Sequence, residues 1–581
     1  MHGAPSTPNR LVRAWQLAAP FWRSRESRPA LALLLGVIGL TLGAVWLNVQ
    51  FNSWNSAFYN SLQARDSAAF GHQLLIFSGL AAAFIVAAVY RLYLNQLLQM
   101  RWRKWMTDKL LGRWLEGGTQ YRLRFADGGS PDNPDQRIAE DVRLFVSSTL
   151  ELSLGLLNAV VTLVSFAGIL WALSGDYVLP IGDGIRIPGF MLWAALLYSV
   201  AGSWLIHRLG RPLTRLNAEQ QRREADFRFG LVRAREHGEA IALSRSEADE
   251  QARLKGAFGL LLDNWLALVL RIKRLTWFSS GYGQLAVVFP FLAAAPRYFS
   301  GGIELGGLMQ TAQAFDQVQG ATSWFVDAYA SLAEWFATID RLSGFEAAIA
   351  ATHAQAARSR IQRRAGADEV RIEDLETRRP DGSVMGTLGS LSLSPGEHTL
   401  IGGPSGIGKS TLLRALAGLW PHGSGSLQVP AEADSLFLPQ QPYLPAGTLR
   451  EALGEATDTP DARLQAALES VHLAELAGQL EVRRDWGREL SPGEQQRLAF
   501  ARILLRRPRW VFLDEATSAL DETIEARLYE LLRRELPDTT VVSVAHRSSL
   551  ARHHQRQVWL GASGPAQSGR AASAGALALE A

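Results

Sequence analysis

Gly403-Pro404-Ser405-Gly406-Ile407-Gly408-Lys409-Ser410 sets two glycines, a lysine and a hydroxyl at the spacing of a phosphate-binding loop. Before it, Thr399-Leu400-Ile401 reads as a buried strand. After it, Thr411-Leu412-Leu413-Arg414-Ala415-Leu416 reads as a helix, so the glycines fall at a strand-to-helix turn. In that context successive backbone N–H groups and the positive end of the helix dipole surround a polyphosphate. Gly403, Pro404, Ser405, Gly406, Ile407, Gly408 and Thr411 are expected to line the phosphates, Lys409 to reach the terminal ones, and the Ser410 hydroxyl to ligate Mg²⁺.

A chain of 581 residues is too long for one core, and its first part is far more apolar than its last. The net charge of +4 does not point to nucleic acid, because the basic residues sit beside apolar runs, where they mark the cytoplasmic ends of membrane helices. The absence of cysteine excludes disulfides, thiol catalysis and cysteine-ligated metal.

Residues 1–29 carry Arg10, Arg13, Arg23, Arg25 and Arg28 ahead of an apolar run of about twenty residues without a small-residue cleavage site, which reads as a membrane anchor. Uncharged runs lie at Ala30–Gln50, Leu74–Tyr90, Leu152–Leu173, Ile187–Ile206 and Leu275–Pro296. A sixth begins at Leu305 and is interrupted by Asp316 and Asp327. The expectation is a helical domain over residues 30–345 that crosses the bilayer six times. Arg101, Arg103, Lys104, Lys109 and Arg113 follow the second run, and Arg208, Arg211, Arg215, Arg222 and Arg223 follow the fourth. Those connections, and with them both termini, are therefore expected to be cytoplasmic. Helical periodicity persists through Tyr90–Leu115 and Asn217–Leu243, as in spans that project beyond the bilayer toward a soluble domain.

In the sixth run Asp316, Ser323, Asp327 and Glu334 lie within about 20° of one direction on a helix, flanked by Gln313, Gln319 and Gly320. A carboxylate facing lipid is costly, so Gln313, Asp316, Ser323 and Asp327 are expected to line a hydrophilic cavity. Residues 346–368 read as a linker, 369–560 as a soluble α/β domain and 561–581 as a disordered tail.

In the soluble part, Trp510-Val511-Phe512-Leu513-Asp514-Glu515 is an apolar run ending in two acids, so a buried strand delivers both to its C-terminal edge, where ligands bind in open α/β sheets. Asp514 is expected to hold Mg²⁺ through water, and Glu515 to polarise the water that attacks the γ-phosphate. Upstream, Leu490-Ser491-Pro492-Gly493-Glu494-Gln495-Gln496-Arg497 resembles the signature of the ATP-binding cassette family.

The resemblance extends to the Q-loop at Gln440, the D-loop at Ser518-Ala519-Leu520-Asp521 and the switch histidine at His546. It implies ATP and Mg²⁺ as ligands, catalytic roles for Glu515, Gln440 and His546, and Gln440 beside the metal. It further implies nucleotide contacts from Ser491, Gly493, Glu494 and Asp521 across a dimer of two head-to-tail copies. Pro492 and Glu494 depart from the usual Leu-Ser-Gly-Gly-Gln, yet Ser491 with Glu494 forms a capping box and Pro492 suits the first helical position. The usual adenine-stacking aromatic is missing from Glu376 to Gly382, where Arg379 is the candidate replacement.

In the membrane part, Asn133-Pro134-Asp135-Gln136-Arg137-Ile138, Phe227-Arg228 with Glu239-Ala240-Ile241-Ala242, and Ala295-Pro296-Arg297-Tyr298-Phe299 resemble the peroxisomal fatty-acyl half-transporters and their bacterial relatives. Phe51-Asn52-Ser53-Trp54-Asn55 resembles the BacA-like branch, which implies a homodimer in a bacterial cytoplasmic membrane that takes up a hydrophilic, cobalamin- or peptide-like solute. An exporter or flippase of lipid, acyl-CoA or peptide is the alternative, and an ATP-responsive scaffold the reading from another class.

Overall fold

The uncharged runs carry too few polar side chains to repay exposure to water, and each is carried by a long helix, the fourth only from Phe190, since Ile187 and Pro188 belong to a short antiparallel strand pair. A computed structural model describes residues 9–125, 133–174, 176–179, 185–454, 459–545, 547–561 and 567–570. After α1 (Arg10–Trp22) come α2 (Ser27–Gln63), α3 (Ser67–Leu115), α4 (Val142–Ser174), α5 (Phe190–Glu236), α6 (Glu247–Phe299) and α7 (Leu305–Ala357). Among the described residues five helices are long and apolar enough to cross a membrane. The sixth expected span, α7, is a continuous 53-residue helix but is not one of the five. At 1.5 Å per residue the 49 residues of α3 extend about 74 Å, far beyond a hydrocarbon core of about 30 Å.

The chain divides into two units, one of Met1–Leu111 with Asn133–Gly344 and one of Gly112–Asp132 with Phe345–Ala581. In the first, polar side chains set which helices touch. Asn52 donates to the Gln310 carbonyl (3.0 Å) and, with Asn55, to Gln313 Oε1 (3.2 and 3.1 Å), while the Trp54 indole donates to the Gln73 carbonyl. The Phe51–Asn55 stretch thus ties α2 to α7 and α3. Gly306 is required where α7 begins, because a Cβ there would stand 2.0 Å from the Ser56 carbonyl oxygen. Below the apolar part of α4, the buried Asp141 binds Arg137 and Arg341 at 2.8 and 2.6 Å, which accounts for Arg137 in the Asn133–Ile138 motif. Removing both arginines would strand the buried Asp141 charge. In α1, Arg10 and Arg13 pair with Asp340, and Phe21 stacks on Trp102.

The second unit holds a sheet of β1 (Thr399–Gly402), β2 (Ser435–Leu438), β3 (Trp510–Asp514), β4 (Thr540–Val544), β5 (Arg556–Trp559) and β6 (Gln567–Arg570), in the order β6-β5-β1-β4-β3-β2. All neighbours are parallel except β5 and β6. Side chains alternate along β3. Val511 and Leu513 enter one core with Leu498, Phe500 and Ile503, whereas Trp510 and Phe512 enter the other with Ile401, Leu412 and Leu416. Burial on both faces is why β3 reads as an unbroken apolar run from Trp510 to Leu513. A second, mostly antiparallel sheet of Arg360–Ala365, Gly423–Val429, Val370–Arg378 and Val384–Leu388 closes the second core.

Two expected irregular stretches carry regular structure. The linker at 346–368 holds the last turns of α7 and the strand Arg360–Ala365, because Ile361 finds a buried place beside Gly425. In the expected disordered tail, Gln567–Arg570 pairs antiparallel with β5, where backbone hydrogen bonds to a sheet edge make side-chain hydrophobicity unnecessary. Apart from Gly561, the remainder of that tail lies outside the described residues.

Candidate functional site

The phosphate loop leaves the C-terminal end of β1 and enters α8 (Lys409–Leu416). Its turn needs glycine at Gly403, Gly406 and Gly408, whose φ angles are +147°, +82° and +99°. At Gly403 a Cβ would also meet the Leu560 carbonyl oxygen at 2.7 Å. The Lys409 ammonium lies within the loop and donates to the Gly403 and Pro404 carbonyls at 2.8 and 3.0 Å. Burial lowers its pKa, an effect opposed by the charges of Glu515 and Asp514. Pro404, Ser405 and Gly406 are exposed, and Ile407 is partly buried against the second core. The Thr411 hydroxyl turns away to the Met385 sulfur.

Both acids predicted from the apolar run arrive beside this loop. Ser410 donates to Asp514 Oδ1 at 2.9 Å. Burial raises the Asp514 pKa, against the opposing pull of the Ser410 hydrogen bond and of Arg414 and Lys409; Glu515 adds to the rise. A hydroxyl and a partly buried carboxylate side by side suit a hard cation that prefers oxygen ligands. The next residue, Glu515, has the left-handed φ of +50°, which turns its side chain out of the strand's alternation. Its carboxylate accepts from Gln440 Nε2 at 3.1 Å, and its backbone N–H donates to the Val544 carbonyl. His546 lies outside the described residues.

The signature opens α9 (Pro492–Arg506) with the expected capping box. The Ser491 backbone N–H donates to Glu494 Oε2 at 2.8 Å and the Glu494 N–H donates to the Ser491 hydroxyl. The Ser491 hydroxyl also donates to the Glu494 carboxylate at 2.6 Å. These hydrogen bonds from Ser491, side chain first, hold the Glu494 pKa below the usual carboxylate range, so the acid is charged at neutral pH. A Cβ on Gly493 would stand 3.3 Å from the Ala519 carbonyl oxygen, so the signature packs against the D-loop of its own chain. Asp521 caps α10 (Glu522–Glu535) by accepting from the Thr523 and Ile524 N–H groups.

Residue types alone did not single out Gln496. This buried side chain donates to the Gln440 carbonyl (3.1 Å) and Ser518 Oγ (3.2 Å) and accepts from the Ala519 N–H (3.0 Å), joining Q-loop, signature helix and D-loop. Arg547 likewise donates to the Leu520 and Ser518 carbonyls. Arg379 sits in an exposed turn, where its backbone N–H and guanidinium bond to Ser383.

The end of α3 and the short helical turns after it, through Phe125, belong to the second unit. Arg122 donates to the Gly418 carbonyl at 3.1 Å, Phe125 meets Trp420 edge-on at 5.1 Å, and Thr119 bonds His353 at 2.9 Å. The residues just beyond the projection expected at Tyr90–Leu115 therefore pack inside the second unit, although they carried no motif of their own.

Of the expected cavity residues, Gln313 is taken up by Asn52 and Asn55, whereas Asp316 and Asp327 are exposed and Ser323 is half-buried. None of the four lines either of two cavities in the first unit, to one of which α7 contributes Trp324 instead.

Residues 17–299 match the family described as ABC transporter transmembrane region 2, and residues 389–518 match the family described as ABC transporter. The inner membrane ABC transporter ATP-binding protein YddA of Escherichia coli is 36% identical, over 91% of this chain and 94% of its own. ABC transporter D family member 2, chloroplastic, of Arabidopsis thaliana is 33% identical, over 97% and 88%. The lysosomal cobalamin transporter ABCD4 of Homo sapiens is 26% identical, over 94% and 93%. Among solved structures, a bacterial Atm1-family ABC exporter with ATP bound matches with a TM-score of 0.72 over 93% of this chain and 95% of its own, at 17% identity, a likeness of fold.

Proposed function

Because the chain belongs to the ABC transporters, which use ATP to drive movement across a membrane, we propose that it works as a homodimer whose two ATP sites are each shared between copies. Gly403 to Thr411 of one copy hold the phosphates, and Ser491, Gly493 and Glu494 of the other close over them, with Asp521 at the junction. The observation that carries this reading is the pairing of Ser410 with Asp514 while the neighbouring Glu515 is turned to Gln440. Ser410, Asp514 and Gln440 would hold Mg²⁺, which would supply charge neutralisation at the phosphates. Glu515, oriented by Gln440, is the general base for the attacking water, and His546 senses the γ-phosphate. Positioning and charge neutralisation are what phosphoryl transfer requires of a protein.

The transported solute is hydrophilic, of a cobalamin- or peptide-like kind, and moves inward across a bacterial cytoplasmic membrane with both chain termini on the cytoplasmic side. The exposed acids Asp316 and Asp327 on α7 support a water-filled path, since either facing lipid costs about 2.5–3.5 kcal/mol. The cobalamin transporter and the inner membrane protein among the relatives support the solute class and the membrane.

The test is Glu515→Gln in the full-length protein. It should retain ATP binding, accumulate as a closed dimer and lose hydrolysis by at least about a hundredfold. Turnover at the wild-type rate would remove Glu515 as the base.

A further inference from the structure

Within the first unit, α2, α3, α4 and α7 surround a cavity of about 610 Å³, inside the range of roughly 300–1,000 Å³ typical of small-molecule sites. All four walls come from one copy. Its lining differs from that of an ordinary gap between apolar helices. Arg91 immediately follows the apolar run of α3 and Glu151 immediately precedes that of α4, and neither is ion-paired among the described residues. Asn95 and Asn158 add two amides, and the buried Asn95 Oδ1 has no hydrogen-bond partner. The Trp324 indole forms the remaining wall and rests on Gly155, where a Cβ would stand 2.8 Å from its Nε1. Glycine at 155 therefore creates the place in which the indole lies.

Glu151 and Asn158 are exposed, whereas the half-buried Arg91 and the unpartnered Asn95 Oδ1 are costly among apolar helices unless a ligand or water answers them. Ligand pockets combine an apolar wall with a few polar groups in this way. We propose that the cavity is a solute site, formed within each copy, for a small zwitterion that carries amide groups, the chemistry of a short peptide. Arg91 takes the carboxylate, Glu151 the ammonium, Asn95 and Asn158 the amides, and Trp324 covers one face. The site rests on the transporter reading for its purpose and narrows its cobalamin- or peptide-like solute to the peptide. It stands apart from the acidic stripe of α7, because Asp316 and Asp327 do not line it. Two sources supply the shared anion-and-ammonium chemistry here, a free peptide, whose amides also meet Asn95 and Asn158, or the headgroup of phosphatidylethanolamine, whose phosphate takes the place of the carboxylate at Arg91.

The experiment is equilibrium binding of radiolabelled trialanine to the full-length transporter in maltoside micelles, on a preparation whose ATP hydrolysis has been measured first. Trialanine should bind, and its N-acetylated and C-amidated forms should bind at least about tenfold more weakly, as expected for loss of a charge-assisted hydrogen bond. Arg91→Gln should weaken trialanine binding by about tenfold to a hundredfold and abolish the preference for the free carboxylate, with Arg91→Lys retaining part of it. Glu151→Gln should abolish the preference for the free amine. If phosphatidylethanolamine displaces trialanine and its own binding depends on Arg91 and Glu151, the zwitterion chemistry stands and its source is the bilayer. Displacement that ignores both residues overturns the assignment, as do end-group preferences that persist in both variants. A wild-type preparation that hydrolyses ATP but binds neither probe overturns the site and leaves the transporter reading intact, whereas one that hydrolyses no ATP refutes that reading itself.

Discussion

Gln496→Leu removes a side chain that bridges three ATP-site segments of one chain. It makes hydrogen bonds of 3.1, 3.2 and 3.0 Å to Gln440, Ser518 and Ala519. Each such bond contributes about 1 kcal/mol net, so the bridge is worth about 3 kcal/mol, with a further penalty for any partner left buried and unanswered. Leucine is similar in size and keeps the packing of α9, which isolates the polar term. If the whole 3 kcal/mol is felt in the transition state through Gln440 and Glu515, hydrolysis falls by about 150-fold, and that is an upper bound. Gln496→Glu is the informative companion, because a carboxylate still accepts from the Ala519 N–H but has nothing to donate to the Gln440 carbonyl. Steady-state ATPase and nucleotide affinity should be measured on both variants. The expected pattern is a large loss of kcat with little change in nucleotide affinity, Gln496→Leu being the more severe. Wild-type kcat in Gln496→Leu would refute the bridge as the element that positions Gln440. A loss confined to affinity would refute its action through Glu515.

Glu494→Gln keeps the capping box while removing a charge from the face offered to triphosphate, so the KM for ATP should fall roughly two- to fivefold, with helix content by circular dichroism unchanged. Burial raises the Asp514 pKa above its unfolded value, so its ionised form costs stability above the folded pKa, and the cost fades as pH drops through that value. Asp514→Asn should therefore raise the thermal midpoint of the ATP-free protein at neutral pH and do so less at acidic pH, while hydrolysis is lost; a midpoint gain independent of pH would contradict this. Phe125→Ala removes an edge-on aromatic pair with Trp420 worth about 0.5–1.5 kcal/mol beyond its buried area. Proteoliposome transport per ATP hydrolysed should fall, and an unchanged ratio would show that this contact transmits nothing.

Features that depend on neighbours in sequence were legible without coordinates. The phosphate loop needs only a strand, a turn with glycine where φ is positive, and a helix, and all three lie between Thr399 and Leu416. The capping box at Ser491 and Glu494 spans a single helical turn. The apolar runs announced the membrane helices because hydropathy needs no partner to be read. Periodicity also marked the polar face of α7, but a helical wheel gives a direction and not what lies in that direction. Gln313, on that face, meets Asn52 and Asn55, more than 250 residues earlier, while Asp316 is exposed. The bridge at Gln496, the seat of Phe125 on Trp420 and the cavity between Arg91, Glu151 and Trp324 are of the same kind. Each joins side chains from segments far apart in the chain, and folding alone brings them to within a hydrogen bond, a ring contact or a shared wall. Sequence spacing therefore specified the chemistry of the ATP site, and long-range packing specified what that site is wired to.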